Sequence, residues 1–373
     1  MELASSSSPA SQSILVLGMH RSSTSVLSRI LNLMGMNLGS NLLPPAADNE
    51  SGFWEHRDIQ HIHDRIYESF ERDWTYVTPQ PQRWWEDPRI EPWREQLRQV
   101  IVRDFSLCPL WGIKDPRLCD MLPLWRALLS ALNCQTKCVL IFRNPADVGR
   151  SLAKRDGLSL SRAYLLWLGS IIAAERDSRG LPRTITTYEM LLANWKGQIE
   201  RIGRDLCIQW PISAEAAEPA IAQFIHPSFR HHHVDNQQFL DDPQTPESVR
   251  SAYAAVLQAA ASGRVDDLSQ TFDRIADELD RSNPLLTRFV SDFESEHRAT
   301  VIARNLEAIS FQNRMVAHDR DHEVNLAHAK QQLSEVTRQL AAARQELIAL
   351  KLAVQDFDQA WNVSGATAHL SNR

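Results

Sequence analysis

The sequence predicts an α/β protein: a parallel β-sheet flanked by helices, followed by a C-terminal helical extension and a coiled coil. Three observations carry that reading. Short apolar runs alternate with helical patterns in the first part of the chain, as in a parallel sheet covered on both faces. The strand signal stops near Pro243, and the rest of the chain reads as helix. The last part repeats leucine every seven residues.

The elements come in order. Residues 1–12 lack the basic start and apolar run of a signal peptide and read as a flexible tail. "SILVLG" (13–18) reads as a buried strand. The helix after it places Val26, Leu27, Ile30, Leu31 and Met34 on one face, and Gly35 stands where a C-terminal cap belongs. A long aromatic segment comes next, with Trp54, Trp74, Trp84, Trp85 and Trp93; excursions of this kind in α/β folds often carry substrate contacts. Core packing explains any one of these tryptophans equally well. The next strands are "LWGIK" (110–114), "KCVLIFR" (137–143) and "RTITTYE" (183–189).

The α/β domain therefore spans 13–235, the helical extension 236–319 and the coiled coil 320–358, with a tail at 359–373. In the coiled coil, Leu326, Leu333, Leu340, Leu347 and Val354 occupy position a. Ala329, Val336, Ala343, Leu350 and Phe357 occupy d. The other frame would put Lys330, Thr337, Arg344 and Lys351 in the seam, and is rejected. Self-association or a partner helix is expected there; a helix folding back on its own domain is the competing reading. Glu346 and Lys351, at g and the following e, suit a parallel pair.

Composition narrows the function. The 373 residues hold 43% hydrophobic and 23% charged side chains, enough for a real core. A net charge of −6 argues against a nucleic-acid-binding surface. No window reaches a transmembrane span. Five cysteines without a CxxC pair read as reduced thiols in a cytoplasmic protein. His61 and His63 are two apart with no clear partners, and no metal site is expected.

The chemistry concentrates in "GMHRSSTS", Gly18 to Ser25, between the first strand and its helix. A helix N-terminus offers unpaired N–H groups and a positive dipole end, which suit an anion. Arg21 and the hydroxyls of Ser22, Ser23, Thr24 and Ser25 add to it, although serines there also serve simply as helix starts. Against GxxxxGK[ST], Gly18 fits the first glycine, while Ser23, Thr24 and Ser25 fall at the glycine, lysine and Ser/Thr positions. Without the lysine that reaches β- and γ-phosphates, the ligand should carry a shorter anionic group, held without Mg²⁺. A second strand–turn–helix, "CVLIFRNPADVGRSL" (138–152), places Arg143 at a strand's C-terminal end and Ser151 about two helical turns on.

These segments resemble those of sulfotransferases that use 3′-phosphoadenosine 5′-phosphosulfate. "RSSTS" is similar to their [KR]SGT[TS] loop, which in bacterial members usually reads GMHRSGTS. "FRNPADVGRSL" is similar to RNPxDVxxS, "GIKDPRLCDMLP" to the KDP segment of tyrosylprotein sulfotransferases, and "TTYEMLLANW" to a later YEDL segment. The likeness implies a P-loop-like fold and transfer of a sulfonyl group to a hydroxyl or amine acceptor, a carbohydrate among the candidates.

It also implies roles. Gly18, His20, Arg21, Ser22, Ser23, Thr24 and Ser25 would hold the 5′-phosphosulfate; Arg143 and Ser151 would hold the 3′-phosphate. Arg230, in "RHHH" (230–233), would close over the adenosine phosphates. Lys114 would be the catalytic lysine, with a salt bridge to Asp115 as its structural alternative, and Arg21 would share in stabilising charge. Glu55 would be the general base, with His56 and Asp115 as runners-up; a surface carboxylate at a helix start is the plain alternative for Glu55. Ser23 departs from the family glycine, which would permit positive φ or close approach; strain and reduced activity are expected from the serine. Two other readings stand: a small-molecule kinase with a divergent loop, and a non-catalytic scaffold assembling through its coiled coil.

Overall fold

Four apolar runs make the sheet: β1 (Gln12–Leu17), β2 (Leu110–Lys114), β3 (Gln135–Phe142) and β4 (Arg183–Thr187). The computed structural model describes residues 11–46, 49, 51–225, 234–281 and 284–368. All pairings are parallel, in the order β2-β1-β3-β4. Val16 aligns with Lys114 on one side and Val139 on the other, and Phe142 aligns with Thr187.

Alternation along the strands feeds two cores. Leu15, Leu17, Leu140 and Phe142 face one; Ile14, Val16, Val139 and Ile141 face the other. The second core is closed by α1 (Thr24–Leu33), whose Leu27, Ile30 and Leu31 are fully buried. The expected cap is present at Gly35, with φ 100°. Gly35 N–H reaches Asn32 O at 2.9 Å and Met36 N–H reaches Leu31 O at 3.0 Å, a Schellman pattern.

The first core collects α2 (Arg57–Glu68), α3 (Glu91–Phe105), α4 (Leu118–Ala131), α5 (Pro145–Asp156) and α6 (Leu160–Ser178). The predicted fourth strand ran to residue 189, but it ends at Thr187. The Thr187 side chain accepts from Met190 N–H at 3.2 Å and opens α7 (Tyr188–Ala193). Then come α8 (Trp195–Asp205) and α9 (Ala214–Phe224). Next are α10 (Asn236–Asp241), α11 (Glu247–Ser262) and α12 (Ser269–Asp280), whose Phe239, Tyr253 and Phe272 join the same core as β3.

The last element, α13, runs from Pro284 to Ala368 without a break. The chain divides into two units at Ser295/Glu296, and the predicted heptads lie wholly in the second. No single helix among the described residues is long and apolar enough to cross a membrane.

The order of the strands locates a crevice. The chain leaves β1 toward β2, then returns to the opposite side of β1 for β3. In open α/β sheets such a reversal places ligands at the strand C-termini, here between the loops after β1 and β3.

Candidate active site

The loop after β1 is shaped by its backbone. Gly18 is needed for close approach: a Cβ there would lie 2.6 Å from Ile141 O of β3 and 2.8 Å from Thr24 Cγ2. Arg21 and Ser23 both take left-handed conformations, with φ 66° and 65°. The position where the likeness expects glycine therefore does adopt the geometry that favours glycine. Ser23 also caps α1 in position only, since its side chain makes no capping hydrogen bond.

The helix opened by this loop has no acidic residue in its first turn. The N–H groups of Thr24 and Ser25 begin it without intrahelical acceptors. Ser22 is buried, and its Oγ meets no hydrogen-bond partner among the described residues. His20 Nε2 is likewise buried without one among them. An anion in the loop would satisfy such donors. Burial, then the cations Arg117 and Arg155, hold the His20 imidazole well below its usual pKa, so it is neutral near pH 7. Its ring lies 4.1 Å from that of Trp74.

The helix that follows β3, α5, meets this loop. Arg21 Nε donates to Ser151 Oγ at 2.7 Å, across 130 positions of sequence. Arg143 lies over the Tyr188 ring at 4.7 Å and 3.8 Å from Asp147. Asn144 turns the chain into α5, accepting from Ala146 N–H at 3.0 Å. Arg230 and "RHHH" lie outside the described residues.

Lys114 ends β2 and is buried. Its Nζ donates to Glu55 Oε1 at 2.5 Å, Phe53 O at 2.9 Å and Ser25 Oγ at 3.0 Å. Ser25 Oγ itself donates to Phe53 O at 3.1 Å. The predicted lysine and carboxylate are thus in contact beside the loop. Burial pushes the Glu55 carboxyl above its usual pKa, although Lys114 pulls it down. Glu55 is 6% exposed, so the alternative of a surface carboxylate does not hold.

The salt bridge weighed for Lys114 with Asp115 does not form, because Asp115 is engaged elsewhere. Its Oδ2 takes a 2.7 Å bond from His63 Nδ1, and its Oδ1 accepts from Arg117 N–H and Nη1, both at 3.0 Å. Trp125 Nε1 donates to His63 Nε2 at 2.9 Å, which fixes the proton on Nδ1. His63 thus has two clear partners, where the sequence suggested none. It sits on the buried stripe of α2 with Ile59, Ile62 and Ile66, a signal that it would need partners. Burial disfavours ionised Asp115, but Arg117 and His63 outweigh it and hold the carboxyl well below the usual range.

His56, the other candidate base, bonds Asp104 at 2.8 Å; Arg103 lies 2.7 Å from both Asp104 and Asp58. Trp74, read from the sequence only as one of an aromatic group, reaches the loop after β1 through His20. The segment carrying it is fastened by Arg162 to Thr75 O at 2.8 Å and by Thr78 Oγ1 to Glu294 at 2.8 Å. Trp84 is core, only 4% exposed.

No family model matches the chain, and no curated protein does. Among solved structures, the sulfotransferase STF1 of Mycobacterium tuberculosis overlaps 57% of this chain and 71% of its own, with 15% identity and a TM-score of 0.35. The sulfotransferase domain of the Synechococcus PCC 7002 olefin synthase overlaps 68% and 94%, with 13% identity and a TM-score of 0.37. A sulfotransferase domain from the curacin biosynthetic pathway overlaps 74% and 100%, with 15% identity and a TM-score of 0.35. Values of this size leave the chemistry to be argued from the residues themselves.

Proposed function

We propose that the α/β unit is a sulfotransferase, taking the sulfonyl group from 3′-phosphoadenosine 5′-phosphosulfate to a hydroxyl or amine acceptor. The observation that carries this reading is the 2.7 Å bond from Arg21 to Ser151. It joins the two anion-binding motifs in one crevice, as a donor with separate 5′ and 3′ anionic groups requires. The buried Ser22 Oγ, without a partner among the described residues, and the acid-free start of α1 fit the 5′ group.

In this reading the first-turn amides of α1 and Arg21 hold the 5′-phosphosulfate, and Arg143 and Ser151 hold the 3′-phosphate. Glu55 takes the acceptor's proton as the acceptor oxygen or nitrogen forms its bond to sulfur. A carboxylate kept from water is a stronger base than an exposed one. The bond from sulfur to the bridging phosphate oxygen breaks, and Lys114 and Arg21 stabilise the charge that collects there. The leaving group is 3′-phosphoadenosine 5′-phosphate, and no metal is called on.

Calorimetry with that bisphosphate tests the reading. Wild type should bind it, and Arg143→Ala should bind roughly 10–100-fold more weakly, the worth of a hydrogen-bonded charge. Glu55→Gln should bind it normally and lose sulfonyl transfer. Failure of the wild type to bind would reject the proposal, and binding of ATP with Mg²⁺ instead would favour a kinase.

A further inference from the structure

The second unit carries an interaction surface of its own. On α13, Leu326, Leu333, Leu340 and Leu347 are 49%, 67%, 67% and 56% exposed, and Val336 is 52% exposed. They belong to the a/d stripe that continues in sequence through Leu350, Val354 and Phe357, whose side chains lie outside the described set. A stripe confined to two positions in seven is the width of a coiled-coil seam, narrower than a helix packed on a globular core shows. It runs for 32 residues, about 48 Å of helix.

The rest of the helix does not compete for this stripe. Glu335 and Arg338, at c and f, pair with each other at 2.6 Å. Upstream, the a positions in this frame are the polar Asn305, Gln312 and Asp319, while Ile302 and Ile309 only flank the seam at e and Leu306 lies outside it at b. The charged run "HDRDHE" (318–323) separates the two stretches.

We infer that this seam is occupied by a second copy of the chain, parallel and in register. The flanking charges decide the partner and its direction. Lys330, Arg344 and Lys351 occupy three of four successive e positions, while the g positions are Gln332, Gln339 and Glu346. In a parallel pair e faces g of the other copy: Lys351 meets Glu346, and Arg344 and Lys330 meet neutral residues. In the fully overlapped antiparallel pair e faces e, and Lys330 meets Lys351 at both ends. The same-chain alternative, a foldback, leaves no account of why the seam is so narrow. This inference stands apart from the proposed chemistry and does not depend on it.

Sedimentation of the full chain at micromolar concentration should give twice the chain mass. Leu333→Asp combined with Leu340→Asp should return it to the chain mass with the α/β unit's melting unchanged. A wild-type chain sedimenting as a monomer would overturn the inference. So would a trimer or larger assembly, or a double variant that stays paired. Direction is read by oxidising Ala329→Cys in a Cys207→Ser background, which removes the exposed native thiol. In the parallel pair the new thiol should cross-link to its counterpart at the same position of the other copy. Cross-linking only when Ala329→Cys is mixed with Val354→Cys would show the antiparallel arrangement and overturn the parallel one.

Discussion

Ser23 stands in the left-handed region without the benefit its residue type usually brings. A non-glycine residue pays about 1–2 kcal/mol there, and glycine would lose about 0.5–1 kcal/mol in the unfolded chain. With no capping bond to forfeit, Ser23→Gly should raise stability by about 0.5–1 kcal/mol in urea unfolding. A drop in stability would mean that the hydroxyl holds something the backbone argument omits. At this scale the sequence was informative where chemistry is local. The glycine-seeking position and the placing of Lys114 at the end of β2 were readable, whereas the contact of Glu55 with Lys114 was not. The partners were not, because they come from distant segments. Nothing near His63 in sequence names Trp125 or Asp115, 62 and 52 positions away. Nor does anything near Arg21 name Ser151.

Strands and helices were legible because each buries a continuous run or a stripe. The β2 segment was predicted with its observed bounds, and the α1 stripe was read from spacing alone. The misplaced end of β4 has a local cause, since Thr187 begins a helix with a capping bond just where the apolar run still looked extended. The loop after β1 also depends on how tightly β1 lies against β3. Gly18→Ala would drive a Cβ to within 2.6 Å of a main-chain oxygen, which cannot swing aside as a side chain can. The expected cost is about 1–3 kcal/mol in urea unfolding. Equal stability of the variant and wild type in urea would show that the strands part freely.

For the whole molecule, the buried Asp115 ties folding to pH. Its carboxyl titrates below the ordinary value of 3.8 when folded, so at acid pH the folded chain binds fewer protons than the unfolded one. The stability this supplies is complete above about pH 5 and drains away as pH falls through 3.8 and below. Urea midpoints from pH 5 to pH 3 should fall for wild type more steeply than for Asp115→Asn. Parallel profiles would show that Asp115 carries no protonation-linked stability. This linkage was beyond the sequence, where Asp115 was read beside Lys114 and not with His63 and Arg117.

The contact between His20 and Trp74 has an optical side. An indole 4.1 Å from an imidazole is close enough for its excited state to be quenched by that ring, and the quenching changes with the ring's charge and distance. Because the imidazole belongs to the loop itself, the emission of this one tryptophan tracks the loop's own movements. The chain holds eleven tryptophans, so this lamp over the crevice is read as the part of the emission that Trp74→Phe removes.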